Sequence, residues 1–179
     1  MTLSTSSAPR GPIRRIVLAG FMGSGKSTAG PLLAARMKWR FVDADDVIES
    51  EAGKRIAEIF ATEGEAAFRR REREAIARLA AEDGLVLALG GGAIETAETR
   101  ELLLNAPGTL VVHLQVELAT TLARCGGTEG TRPVLADQVN LAARYARRLP
   151  LYRMSHVSIA TDALTPGEVV EAVVERLRD

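Results

Sequence analysis

The sequence predicts an α/β domain in three layers, with a five-stranded parallel sheet held between helices. Two observations carry that prediction. Five short apolar runs alternate along the chain with longer stretches of helical periodicity, the pattern of repeated right-handed strand–helix–strand crossovers. The clearest runs are continuously apolar, as in Ile16-Val17-Leu18-Ala19, which is what strands covered by helices on both faces require. With 179 residues, 46% of them hydrophobic, the chain is long enough for one core and leaves little room for a second.

Each element has a local reason. The first strand falls within Ile13 to Gly20, a glycine-rich loop follows, and a helix runs from about Lys26 to Met37. Phe41-Val42 is a second strand ending at Asp43, and Asp45 to Glu51 reads as a helix stopping near Gly53. Ile56 to Phe60 forms a turn or two more. Glu65 to Ala81 is a stronger helix, with Phe68, Ala75, Ile76 and Leu79 on one face and Arg and Glu on the other. Leu85 to Leu89 is the third strand, closed by Gly90-Gly91-Gly92. Thr96 or Thr99 caps a helix reaching Leu104, which Asn105 to Gly108 breaks. Thr109 to Leu114 is the fourth strand, followed by a helix through Arg124. Cys125 to Asp137, rich in Gly, Thr and charge, reads as a mobile loop. A helix from about Gln138 to Arg148 is interrupted at Pro150, His156 to Ala160 is the fifth strand, and Pro166 to Leu177 closes the fold with proline in its first turn.

Composition excludes several classes. Lys plus Arg equals Asp plus Glu at 23 each, which argues against a bulk nucleic-acid binder, since phosphate contacts need a basic surplus. One cysteine, Cys125, allows no internal disulfide, and two histidines, His113 and His156, make a histidine-based zinc site improbable. No apolar stretch approaches the roughly 20 residues that span a bilayer. Residues 1–12, small, polar and containing proline, lack the apolar core of a secretion signal and are expected to be a flexible tail on a cytoplasmic protein.

Gly20-Phe21-Met22-Gly23-Ser24-Gly25-Lys26-Ser27 meets G-x-x-x-x-G-K-[ST] in full, after a strand and before a helix. Gly23 and Gly25 let the backbone bring its N–H groups against phosphate oxygens. The helix starting near Lys26 adds its positive end, Lys26 reaches the β and γ phosphates, and Ser27 offers a hydroxyl to Mg²⁺. The nucleotide-binding set is Gly23, Ser24, Gly25, Lys26, Ser27 and Thr28. The alternative, a glycine-rich turn with an accidental Lys-Ser, does not explain why pattern and context agree.

Such a loop serves GTPase switches, motor-like ATPases and small kinases alike. The chain has no Asn-Lys-x-Asp base-reading segment. The strand Leu85 to Leu89 ends on three glycines where a magnesium carboxylate would be usual, so Asp43 is the available substitute, acting through water, unless it is only a helix N-cap. Three glycines after a buried strand imply close approach of something to the backbone, at the end of a parallel strand where ligands bind.

Phe41-Val42-Asp43-Ala44-Asp45, Ile59-Phe60-Ala61-Thr62-Glu63-Gly64-Glu65-Ala66-Ala67-Phe68-Arg69, Gly90-Gly91-Gly92, Arg132-Pro133-Val134-Leu135 and Arg148-Leu149-Pro150-Leu151-Tyr152 resemble the shikimate kinase family in order and spacing, from about Arg15 to Leu177. The resemblance implies a P-loop kinase fold of the nucleoside monophosphate kinase type, one domain over residues 13–179 with a lid at about 125–137, and a monomer. It implies transfer of the γ-phosphate of ATP to the 3-hydroxyl of shikimate, with Mg²⁺, on the route to chorismate and the aromatic amino acids. Ala44 stands where the family often carries Ser or Thr.

The resemblance also implies roles. Asp45 contacts the substrate hydroxyls and is the candidate general base, although orienting the hydroxyl counts at least as much in a loose phosphoryl transfer. Arg69 and Arg148 hold the shikimate carboxylate, a task suited to a planar guanidinium fork. Each has arginine neighbours, Arg70, Arg71 and Arg147, and only the family pattern chooses between them. Gly91, with Gly92, forms the backbone wall against the ring. Arg132 is a lid arginine closing on the ATP phosphates, and Arg124 is expected near the adenine. Trp39 and His113 read as packing residues and Cys125 as a tolerated thiol in the lid. Other kinases of this group, such as gluconate, aminoshikimate or nucleoside monophosphate kinases, remain rivals. A non-catalytic nucleotide-responsive module would have been marked by loss of Lys26, Ser27 or Asp45, and all three are present.

Overall fold

In the computed structural model, residues 11–125 and 138–178 are described. Most of the expected tail, the expected lid from residue 126 onward and Arg132 lie outside them. Five strands, β1 (Arg15–Ala19), β2 (Arg40–Asp43), β3 (Leu85–Ala88), β4 (Thr109–Gln115) and β5 (Val157–Ala160), make one sheet in the order β2-β3-β1-β4-β5. Every pairing is parallel, as predicted. The connecting helices are α1 (Lys26–Met37), α2 (Ala44–Ala52), α3 (Ile56–Thr62), α4 (Glu65–Leu79), α5 (Ala97–Asn105), α6 (Leu118–Cys125) and α7 (Gln138–Tyr152), and α8 (Pro166–Arg176) closes the chain; a 3-10 turn covers Ala93–Glu95.

Side-chain alternation along β1 explains the two cores. Ile16 and Leu18 point to one face and pack with Leu33 of α1, Leu110, Val112 and Leu114 of β4 and the valines of α8. Val17 and Ala19 point to the other, against Ile76 and Leu79 of α4, Leu103 of α5, and Leu141 and Tyr152 of α7. Each fully buried large apolar side chain contributes on the order of 1.5–3 kcal/mol, so the central strands dominate the stability. At the amino end of β1, the buried Arg15 guanidinium ties the sheet to its connections. Its Nε donates to Glu82 O (2.7 Å), its Nη1 to Pro107 O and Thr109 Oγ1 (both 2.9 Å), and its Nη2 pairs with Asp83.

Two expectations change. Helix α7 passes through Pro150 to Tyr152 where the sequence suggested an interruption. Proline removes one backbone donor, but Arg153 N still donates to Leu149 O and the buried Tyr152 anchors the last turn. Cys125 is not the start of a loop: it ends α6, buried, with its thiol under the phosphate loop, where a Cβ on Gly23 would meet Sγ at 3.1 Å.

Register sets up the site. Leu18 pairs with Ala88, and Ala88 with Asp43, so the three strands end level. Two residues further on, Gly20, Gly90 and Asp45 emerge at one edge of the sheet, where the strand order turns from β3 to β4 on either side of β1.

Candidate active site

The loop after β1 begins a cavity of about 660 Å³, within the size range of small-molecule sites. Gly23 (φ 75°) and Gly25 (φ 93°) hold left-handed conformations that other residues resist, and Gly25 opens α1 with no side chain capping it. The first amides of α1 are therefore presented to the cavity, the arrangement that binds phosphate. Lys26 Nζ donates to Gly20 O (2.7 Å) and Phe21 O (3.2 Å), closing the loop on itself. Arg124 braces the loop from outside: Nη1 donates to Gly23 O (3.0 Å) and Nη2 to Thr161 O (2.7 Å). With Leu164, Pro166 and Val169 it lines the end of the cavity expected to face the base.

Both carboxylates expected at the end of β2 line the same cavity. Asp43 caps α2, its Oδ1 accepting from Asp45 N at 3.0 Å, so the N-cap reading of that residue holds. The cap uses one oxygen and leaves Oδ2 for a second role. Burial raises its pKa, and Lys26 pulls the other way. Asp45 is pushed up to about 6, first by burial, then by the charges of Asp43 and Glu72. A carboxylate poised near neutrality and facing a phosphate loop is the expected electrostatics of a general base.

The triple glycine is explained by its neighbours. A Cβ on Gly90 would stand 2.5 Å from Asp45 Oδ1, one on Gly91 would stand 3.4 Å from Arg148 Nη1, and one on Gly92 would stand 2.6 Å from Arg69 Nη2. Gly90 and Gly92 thus make room for Asp45 and Arg69, while a side chain on Gly91 would only touch Arg148. Arg148 and all three glycines line the cavity, whereas Arg69 is not among the lining residues and stands against Gly92. The geometry also separates each arginine from its neighbours. Arg71 pairs with Glu63, away from the cavity, and Arg147 is mostly exposed.

Four residues that the sequence analysis gave no role stand close to the site. Glu72 is buried, not on the solvated face of α4, and takes Arg69 Nη1 at 2.7 Å; burial raises its pKa despite that pair. Its spacing from Phe68, Ala75, Ile76 and Leu79 put it on the apolar face, which was the available signal. Glu95 accepts from Arg147 and Arg148, whose hydrogen bonds hold its carboxyl below the usual range although burial works against them. Tyr152 donates to Gly91 O (2.7 Å) and stacks on His113 with centroids 5.1 Å apart. Burial lowers His113 to about 4, so it is a neutral packing residue, as expected. Gly90, seen only as part of the run, is the glycine against Asp45.

Among the described residues no group of three or more His, Cys, Asp or Glu is arranged to hold a metal, and no helix is long and apolar enough to cross a membrane. Ser27 and Asp43 fit the other way of binding Mg²⁺, in which few protein oxygens are supplemented by water and substrate phosphates. The cavity thus joins an anion cradle to a carboxylate and an arginine on a glycine wall.

Comparison with known proteins agrees. The shikimate kinase family model matches residues 22–178. The shikimate kinase of Symbiobacterium thermophilum is 44% identical over 170 residues, covering 92% of this chain and 96% of its own, and that of Mycobacterium marinum is 44% identical over 92% and 90%. The solved structure of shikimate kinase from Acinetobacter baumannii in complex with shikimate superposes with a TM-score of 0.85 at 34% identity, covering 93% of each chain. With sequence and fold in agreement over about nine-tenths of its length, this chain belongs to the shikimate kinase family.

Proposed function

We propose that the chain transfers the γ-phosphoryl group of ATP to the 3-hydroxyl of shikimate, giving shikimate 3-phosphate and ADP, as a cytoplasmic monomer serving the route to chorismate and the aromatic amino acids. One observation carries the reading: Asp45 and Arg148 line the cavity of the phosphate loop against Gly90 and Gly91, and Arg69, outside the lining, stands next in succession against Gly92. That order matches an acceptor with a hydroxyl at one end and a carboxylate at the other. Neither a nucleotide base nor a simple polyol asks for it.

The roles follow from chemistry. The amides of Gly23 to Thr28 and the Lys26 ammonium hold the ATP phosphates. Arg132, the further arginine that the family pattern assigns to the ATP phosphates, lies outside the described residues. Ser27 and Asp43 would hold Mg²⁺, which would supply positive charge to neutralise the phosphates. Arg148 and Arg69 orient the acceptor through its carboxylate, and Gly91 and Gly92 set its depth. Asp45 aligns the hydroxyl for in-line attack and accepts its proton as the oxygen–phosphorus bond forms. Its elevated pKa suits proton acceptance near neutral pH.

The test is ADP release measured with shikimate, aminoshikimate, gluconate and a panel of nucleoside monophosphates. Turnover with shikimate at the highest kcat/KM is the expected result; none with shikimate refutes the reading.

A further inference from the structure

We infer that Glu95 is a positioning residue for the acceptor carboxylate, holding Arg148 by one edge of its guanidinium so that the opposite edge faces the cavity at Gly91. The inference rests on the function proposed above. Arg148 is buried, and its Nε and Nη2 both donate to the same oxygen of Glu95, Oε2, at 3.0 and 2.8 Å. A guanidinium has five N–H groups, and that pair uses the Nε side. Glu95 leaves the end-on fork, Nη1 with the second proton of Nη2; Nη1 is the atom nearest the Gly91 wall, beside the Tyr152 hydroxyl, with which Arg148 also hydrogen-bonds. A bidentate carboxylate contact needs such a fork held in plane.

Glu95 is itself fixed on three counts. It ends the 3-10 turn that directly follows the glycine wall, so wall and anchor belong to one rigid segment. Arg100 Nη1 donates to the carbonyls of Ile94 (2.6 Å) and Glu95 (3.1 Å), pinning that turn. The other carboxylate oxygen, Oε1, takes Arg147 Nε at 2.8 Å, so the group cannot rotate without breaking a second ion pair. The exposed Arg147 thereby gains a purpose without touching the acceptor. Arg69 is held differently, by Glu72 of α4 through Nη1. The competing idea, that Glu95 occupies the acceptor's seat and must be displaced, needs its carboxylate on the fork nearest Gly91. It sits on the Nε edge instead.

Turnover of shikimate by the unaltered chain is measured first, so that a wrong acceptor assignment shows there and not in the variants. Glu95→Gln keeps the shape and removes the charge. It should raise KM for shikimate about 10-fold, with kcat and KM for ATP changing by less than about twofold. Glu95→Asp, which keeps the charge one methylene short, should fall between it and the original chain. Shikimate KM that is unchanged or lowered in both variants overturns the inference, the lowered case being the mark of a displaced competitor. A matching rise in KM for ATP also overturns it, because that would report a general structural loss. Should Glu95→Gln not fold, Glu95→Asp decides alone: a selective rise in shikimate KM supports the role, and no rise refutes it.

Discussion

Asp45→Asn should make the protein more stable at neutral pH while destroying its activity. The folded chain lifts the Asp45 carboxyl from 3.8 to about 6, chiefly by burial and then by the charges of Asp43 and Glu72. A tenfold weaker acid corresponds to about 1.4 kcal/mol, so the buried charge costs the fold at most about 3 kcal/mol above pH 7. Two effects reduce the gain on removing it. The group is only partly buried, and the carboxylate lies in the first turn of α2, where the helix end stabilises a negative charge by up to about 1 kcal/mol. A net gain of about 1–2 kcal/mol remains, which for a chain of this size is a rise in Tm of roughly 2–8 °C. The pH dependence is the sharper part. Between 3.8 and about 6 the folded state binds more protons than the unfolded state, so the original chain loses this contribution as pH rises through that window. The variant's advantage should therefore vanish below about pH 4 and level off above about pH 7. Urea or thermal unfolding of both chains from pH 4 to 8, without substrates, reads it directly. An advantage independent of pH, or a variant less stable at pH 7, would refute the electrostatic account. In the same variant kcat should fall by about 10²–10⁴ with ATP binding nearly intact; a large loss of ATP affinity would contradict the role of Asp45.

Gly90→Ala and Gly92→Ala test the wall from its two ends. The first sets a methyl 2.5 Å from Asp45 Oδ1 and should act mainly on kcat; the second sets one 2.6 Å from Arg69 Nη2 and should act mainly on shikimate KM. Steady-state kinetics showing the same pattern for both would remove the assignment of separate neighbours. For the original chain, kcat/KM for shikimate should decline as pH falls below about 6, where Asp45 takes up a proton. A profile flat from pH 5 to 8 would speak against a basic role for that group. Arg15→Leu should cost about 2–4 kcal/mol in urea unfolding, because Glu82 O, Pro107 O and Thr109 Oγ1 lose their donor in a buried setting. A loss under about 0.5 kcal/mol would mean water replaces the guanidinium there.

Much of the molecule is legible in the sequence because its signals are local. Strand runs, the loop from Gly20 to Ser27 and the proline that opens α8 each depend on residues close in the chain, and all appear where expected. Where the reading slipped, distant contacts decided. Pro150 fails to stop α7 because Tyr152 finds a buried partner in Gly91, 61 residues away. Cys125 looks like loop by composition, yet α6 delivers it beneath Gly23. Glu72 looks solvated among charged neighbours, although its helical phase places it with Phe68 and Ile76.

The sequence by itself determined that this chain folds as a parallel α/β sheet with a phosphate cradle, since a Gly-rich turn between a buried strand and a helix has little other use. It also carried the family's marks at Asp45, Arg69, the triple glycine and Arg148. Only the tertiary structure decided why Gly90 and Gly92 carry no side chain and what holds the arginines beside the wall. Those answers depend on β2, β3, α4 and α7 meeting at one edge of the sheet. Spacing along the chain cannot report which carboxylate, Glu72 or Glu95, ends up against which guanidinium.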